Sequence, residues 1–242
     1  MRCPRVAPEN PRDRRLIDFP AAVRALPKAE LHVHLDGSPR AQTLLDLAWA
    51  AKREPIADSP DGLVAALRAG NVFQSLEHYI AAFVQTISLM QTAPALRRIA
   101  HELMEDAARE AIHHLEVRFC PDLHTREGLS RDQVLEAVVA GLEEGKRKWE
   151  LSYGVIVSGL REQGPEASLE MAQLAVAWRD RGVVAFDLAG PETGFPAREH
   201  EEAIRLARSA GLHLTLHAGE VTDAEAVREA VDLGTERIGH GV

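Results

Sequence analysis

His32-Val33-His34 sets two imidazoles two residues apart. In a β-strand that spacing puts both on the same side. Neutral imidazole is the commonest metal ligand, so such a pair can reach one ion. Paired histidines also occur on exposed strands, where they bind nothing. Asp36 continues the same parity and Gly37 follows it. A carboxylate at the C-terminal end of a strand lies where barrel enzymes keep their functional groups, and this favours the metal reading. The spacing predicts that His32, His34 and Asp36 all point to one interior.

A second constellation is Leu216-His217-Ala218-Gly219-Glu220. His217 ends an apolar run, two small residues let the backbone turn closely, and Glu220 then projects beyond the strand. A carboxyl group three residues from a metal histidine is suited to proton transfer. It is equally suited to the first turn of a helix beginning near Thr222, where the macrodipole favours an acid. A third is Ile238-Gly239-His240-Gly241. There an uncrowded histidine could approach a small site, or simply bond a neighbouring carbonyl.

The other histidines carry less. His78, His101, His113, His114, His124 and His200 read as surface or interface groups, and His213 as a hydrogen-bonded histidine deep in the core. Cys120-Pro121 reads as a buried thiol and a turn. No Gly-rich phosphate loop, Ser/His/Asp elbow or Cys-x-x-Cys pair competes with the histidines.

These residues need elements to hold them. Apolar runs at Glu30–Leu35, Leu115–Phe119, Tyr153–Val157, Val183–Leu188, Leu212–His217 and Arg237–Val242 read as strands, each alternating with a helical stretch. Ser130 with Gln133, and Thr222 with Glu225, have the spacing of capping boxes. Gly182, Gly211 and Gly234 stand where helices close. Strand alternating with helix predicts a parallel sheet covered by helices. An open doubly wound sheet and a (β/α)₈ TIM-type barrel both fit. Two strands with an aliphatic face opposite a histidine-bearing face favour the barrel. The stretch 37–93, with helical pieces at Gln42–Lys52, Gly62–Arg68 and Leu76–Met90, is too long for a simple crossover. It reads as a lid-like insertion over the catalytic end of the barrel, or as an elaborated crossover with no gating role.

Composition bounds the rest. The chain has 242 residues, is 45% hydrophobic and 27% charged, and carries a formal net charge of −9. That acidity argues against a nucleic-acid surface, which needs a basic face. Two cysteines, Cys3 and Cys120, exclude a disulfide framework and point to a reducing cytoplasm. No apolar run approaches the roughly 18 residues of a membrane span. Residues 1–25 read as an N-terminal tail without the character of a secretory signal.

In order, HVHLDG, LEVRFCP, DLAGPE, LHAGE and RIGHG resemble the adenosine deaminase family of metal-dependent amidohydrolases, over about Leu26 to Val242. The resemblance implies one Zn²⁺ per chain in a (β/α)₈ barrel spanning 26–242, held by His32, His34 and His217. It implies Glu220 as proton donor to the purine and His240 as the group orienting the attacking water. Asp36 would contact the ribose, the Gly190 backbone N–H a purine nitrogen, and His34 would border the substrate. The activity so implied is hydrolytic deamination of adenosine, with 2′-deoxyadenosine, to inosine and ammonia in purine salvage, on a small nucleoside and with no membrane partner. Two alternatives are a deaminase of adenine or another 6-aminopurine conjugate, and a non-catalytic barrel that keeps its zinc. The motifs depart from the family at Pro191, where an acidic residue is usual. They also stop after the sixth strand, so the family's aspartate pair near the eighth, one of which ligates zinc, has no counterpart. The expectation is an incomplete barrel, inactive by itself.

Overall fold

The computed structural model describes residues 23–55, 57–69, 84–221 and 224–242. Six strands form one parallel sheet in the order of the sequence: β1 (Lys28–His34), β2 (Ile112–Phe119), β3 (Ser152–Leu160), β4 (Val183–Ala189), β5 (His213–Ala218) and β6 (Arg237–His240). Each neighbouring pair is parallel, as βαβ crossovers require. The sheet curls until its first and last strands face one another across the interior. The His32 and His240 rings come to 5.0 Å between centroids, and Arg237 on β6 pairs with Glu116 on β2. This is an incomplete TIM-type barrel of six strands.

Helices cover the outside. The helix α1 (Ala41–Ala50) and α2 (Pro60–Ala69) lie in the insertion after β1, and residues 84–89 are also helical. Then come α3 (Ala93–Arg109), α4 (Arg131–Trp149), α5 (Pro165–Trp178), α6 (Glu201–Ser209) and α7 (Ala224–Asp232). Local chemistry sets their ends. The Ser130 hydroxyl accepts from the Gln133 N–H at 3.2 Å while the Gln133 side chain accepts from the Ser130 N–H at 2.9 Å, so the capping box forms reciprocally. Gly182, Gly211 and Gly234 take φ of 102°, 83° and 85°, as helix-closing residues do.

The core is the sandwich between the outer faces of the strands and the helices, with Leu115, Val117, Phe119, Val155, Val157, Phe186, Leu188, Leu214 and Leu216 against the apolar stripes of α3 to α6. The insertion has a small core of its own, Leu44, Leu45 and Leu63. Ion pairs fasten α1 to α3: Arg98 with Asp46 at 2.7 Å, and Arg40 with Asp106 at 2.6 Å. No helix among the described residues is long and apolar enough to cross a membrane.

Three expectations on histidine are corrected. His213 is exposed rather than deep, because β5 begins there and its ring pairs with Glu236 at 2.8 Å on the rim. His124 and His200 are buried, not superficial. Each uses Nδ1 to reach an internal oxygen, the Met90 carbonyl at 3.0 Å and the Ser168 hydroxyl at 2.8 Å. Thr222, His78 and most of Leu76–Met90 lie outside the described residues, as does most of the 1–25 tail.

Candidate metal and catalytic site

Strand parity carries His32 and His34 to the inner face, and β5 carries His217 to meet them. The Nε2 atom of His217 lies 3.1 Å from His32 Nε2 and 3.2 Å from His34 Nε2. Around a tetrahedral ion with bonds of about 2.0–2.1 Å, ligand nitrogens stand about 3.3 Å apart, so the spacing suits zinc. Among the described residues this is the one His/Cys/Asp/Glu group with metal-holding geometry.

The protonation of the rings is also set. His217 Nδ1 lies 3.0 Å from the Asp187 carboxylate, which is fully buried on β4. A carboxylate accepts, so the proton sits on Nδ1 and the Nε2 lone pair faces the other two rings. That is the carboxylate–histidine arrangement of metal ligands. His32 is pushed down to about 3 and His34 to about 4, first by burial and then by neighbouring positive groups, so both rings are neutral at pH 7.

Asp187 is itself held. The Ser158 hydroxyl on β3 donates to it at 3.1 Å and Arg118 on β2 at 3.3 Å, while Arg118 also donates to the Leu31 carbonyl on β1 at 3.1 Å. Burial alone would raise the Asp187 pKa, but its interactions with His217 and the Arg118 guanidinium hold it well below the usual carboxylate range. The motif reading passed over Asp187, Arg118 and Ser158 as site residues. A signal existed: Arg118 in LEVRF and Asp187 in VVAFDLAG are charges inside apolar strands, tolerated in a core only as partners.

Two more elements close over the histidines. In β6, Gly239 lies beside His217 in register, and a Cβ on it would stand 2.8 Å from His32 Cε1. Only glycine lets that strand pass His32 and His217 so closely. His240 follows with φ of 76°, its ring 5.3 Å from His217 between centroids and its Nε2 3.5 Å from Glu220 Oε2. Burial, first among several influences, lowers the His240 pKa. Glu220 thus lies beside His240 at the C-terminal ends of β5 and β6.

Asp36 departs from the simple parity argument, because β1 ends at His34 and Leu35–Gly37 tightens into a 3₁₀ turn. The residue is 8% exposed, its Oδ1 has no hydrogen-bond partner among the described residues, and burial pushes its pKa up to about 6. Gly190 ends β4's exit with φ of 92°, where a Cβ would collide with the Glu162 carboxylate. Cys120 is buried with its pKa pushed up to about 12 by that burial, so it is no nucleophile.

A family model described as adenosine deaminase matches residues 27–242. An adenosine deaminase of Mycobacterium marinum is 38% identical over 236 residues, covering 94% of this chain and 65% of its own length. Among solved structures, an adenine deaminase from Arthrobacter aurescens superposes with a TM-score of 0.81 at 26% identity, over 90% of this chain and 65% of that one. An amidohydrolase from Burkholderia ambifaria with bound Zn gives 0.80 at 30% identity, over 91% and 60%. The chain therefore spans a little under two thirds of the length of these three relatives.

Proposed function

This chain belongs to the adenosine deaminase family, and from that premise we propose that the protein is a zinc-dependent deaminase of adenosine and 2′-deoxyadenosine, yielding inosine and ammonia in purine salvage. The observation that carries the reading is the His217 ring: Nδ1 is committed to Asp187 and Nε2 converges with His32 and His34. A bound zinc would supply the Lewis acidity that makes water a nucleophile at neutral pH.

The chain's own groups do the remaining work. His240 holds the attacking water in line with C6 of the purine. Glu220 gives its proton to the adjacent ring nitrogen as attack at C6 breaks the aromaticity. One proton of the water passes to the exocyclic nitrogen and the other returns to Glu220, so the C–N bond breaks, ammonia leaves, and the 6-oxo purine remains. The Gly190 backbone N–H meets a purine nitrogen, and His34 borders the substrate. The insertion after β1, of which α1 and α2 are described, would serve as a lid over the site. The two-cysteine composition and acidic charge fit a cytoplasmic enzyme that binds neither nucleic acid nor membrane.

Similarity to an adenine deaminase supports a second reading, with free adenine as substrate. Asp36 favours the nucleoside. Its buried Oδ1 has no hydrogen-bond partner among the described residues, and a ribose hydroxyl would be a fitting donor. The test is twofold: zinc per chain by metal analysis, and ammonia released from adenosine or adenine. One zinc per chain that is lost in His217→Ala, with adenosine preferred, supports the reading. Ammonia release that survives His217→Ala overturns it.

A further inference from the structure

We propose that Glu192 is a positioning residue for Glu220. Its buried carboxylate holds the backbone of the proton donor, and through it the carboxyl group, in register with His240. The inference rests on the deaminase reading for its kinetic consequence, but the tether itself does not.

The turn from His217 to Glu220 has little to fix it locally. Ala218 and Gly219 have no side chains long enough to anchor it, and Gly219 has φ of 71°. Two neighbouring segments hold it instead. From the β6 side, the Gly241 N–H donates to the Ala218 carbonyl at 2.9 Å and the Val242 N–H to the Gly219 carbonyl at 3.2 Å. From the β4 side, Glu192 Oε1 accepts from the Glu220 N–H at 3.1 Å. Both β6 bonds stop short of Glu220, whose own peptide is gripped by Glu192.

Glu192 is itself placed firmly. It is 6% exposed, and Pro191 before it fixes one backbone angle. The Phe195 N–H closes a turn onto the Glu192 carbonyl at 3.1 Å. Arg161, 3% exposed, then clamps that turn to β5 by donating to the Phe195 carbonyl at 2.9 Å and to the His217 carbonyl at 2.7 Å. One guanidinium thus sets the distance between the loop that carries Glu192 and the strand that carries the metal histidine. A bond from a peptide N–H to a carboxylate is charge-assisted and short-range, so it locates a backbone well. Proton transfer needs that accuracy, since a misplacement of about 1 Å can cost roughly 10²-fold.

The test compares three substitutions with the parent. Glu192→Gln keeps the Oε1 acceptor, Glu192→Ala removes it, and Glu192→Asp keeps the charge but draws the acceptor back by one methylene. Hydrogen exchange of the Glu220 amide, followed by NMR, reads the tether whether or not the chain turns over. Protection is expected in the parent and in Glu192→Gln, and its loss in Glu192→Ala and Glu192→Asp. In kinetics on adenosine, Glu192→Ala and Glu192→Asp should lose roughly 10- to 100-fold in kcat with KM and zinc content little changed, while Glu192→Gln stays near the parent. The proposal is overturned by a Glu220 amide that stays protected in Glu192→Ala or Glu192→Asp, by Glu192→Gln falling as far as Glu192→Ala, or by a loss confined to KM. A protein of its relatives' full length that binds zinc without releasing ammonia sinks the deaminase reading, and the exchange result then decides the tether by itself.

Discussion

The Nδ1 atom of His217 and the carboxylate of Asp187 are 3.0 Å apart, and this one bond decides which ring nitrogen His217 turns toward His32 and His34. Asp187→Asn keeps the size of the side chain but loses the charge that favours a proton on Nδ1. Zinc affinity, measured by chelator competition, should fall by roughly 10- to 100-fold, the usual cost of removing such a supporting partner. Asp187→Ala should also lower folding stability by about 3–5 kcal/mol, because it strands Arg118 at 1% exposure. Zinc affinity unchanged in Asp187→Asn would remove Asp187 from the orienting role.

Glu220 faces His240 at 3.5 Å, and it also lies just before α7, so proton donor and helix-terminal acid are both open to it. In an enzyme shown to release ammonia from adenosine, Glu220→Gln should cut turnover at least roughly 10²-fold while zinc stays bound. The glutamine retains shape and hydrogen bonding but has no proton to give. Near-parental turnover in that variant would leave only the helix-terminal role.

Gly190 combines a left-handed φ of 92° with a Glu162 carboxylate packed where a Cβ would go. Gly190→Ala should lower the unfolding free energy by about 1–3 kcal/mol in urea denaturation, the range for a strained backbone residue. On adenosine it should raise KM, since the peptide proposed to meet the purine must move. Unchanged stability together with unchanged KM would show that the loop relaxes freely.

His124 is fully buried, and burial pushes its pKa down from 6.5 to about 4. The unfolded chain therefore binds a proton that the folded chain refuses. Stability contributed by neutral His124 is present above pH 6.5 and is lost as pH falls toward 4. The loss from this residue between pH 7 and pH 4.5 should be about 2 kcal/mol. His124→Gln should flatten the acid side of the stability curve by that amount, read by urea titrations at several pH values. An acid limb identical to the parent's would assign the loss to other groups.

Much of the site was legible in the sequence because it is written in short-range periodicity. His32 and His34 share a face by strand parity, and His217 ends an apolar alternation, so their inward direction needed no tertiary information. The strands and the Ser130 capping box follow from equally local patterns. Strand parity does not reach Asp36, where β1 gives way to a 3₁₀ turn, and it misled at His213, where position at the start of the strand outweighs direction. His124 and His200 were misplaced for a related reason. A lone histidine in a helical or loop segment carries no sign of which oxygen it will meet, and here the oxygens come from residues 34 and 32 positions away.

The sequence by itself determined the family, the strand–helix alternation and the three candidate ligands, since each is a matter of residue type and local spacing. Only the tertiary structure decided what stands behind the ligands. Asp187, Arg118 and Ser158 sit on three different strands, and their meeting depends on the register of a curled parallel sheet. The same holds for Glu192 and Glu220, 28 residues apart, which are joined by one hydrogen bond between the loops that follow adjacent strands. Parallel strands are brought together by crossovers whose length and packing set the register, and no local pattern encodes which side chains will then lie within 3 Å.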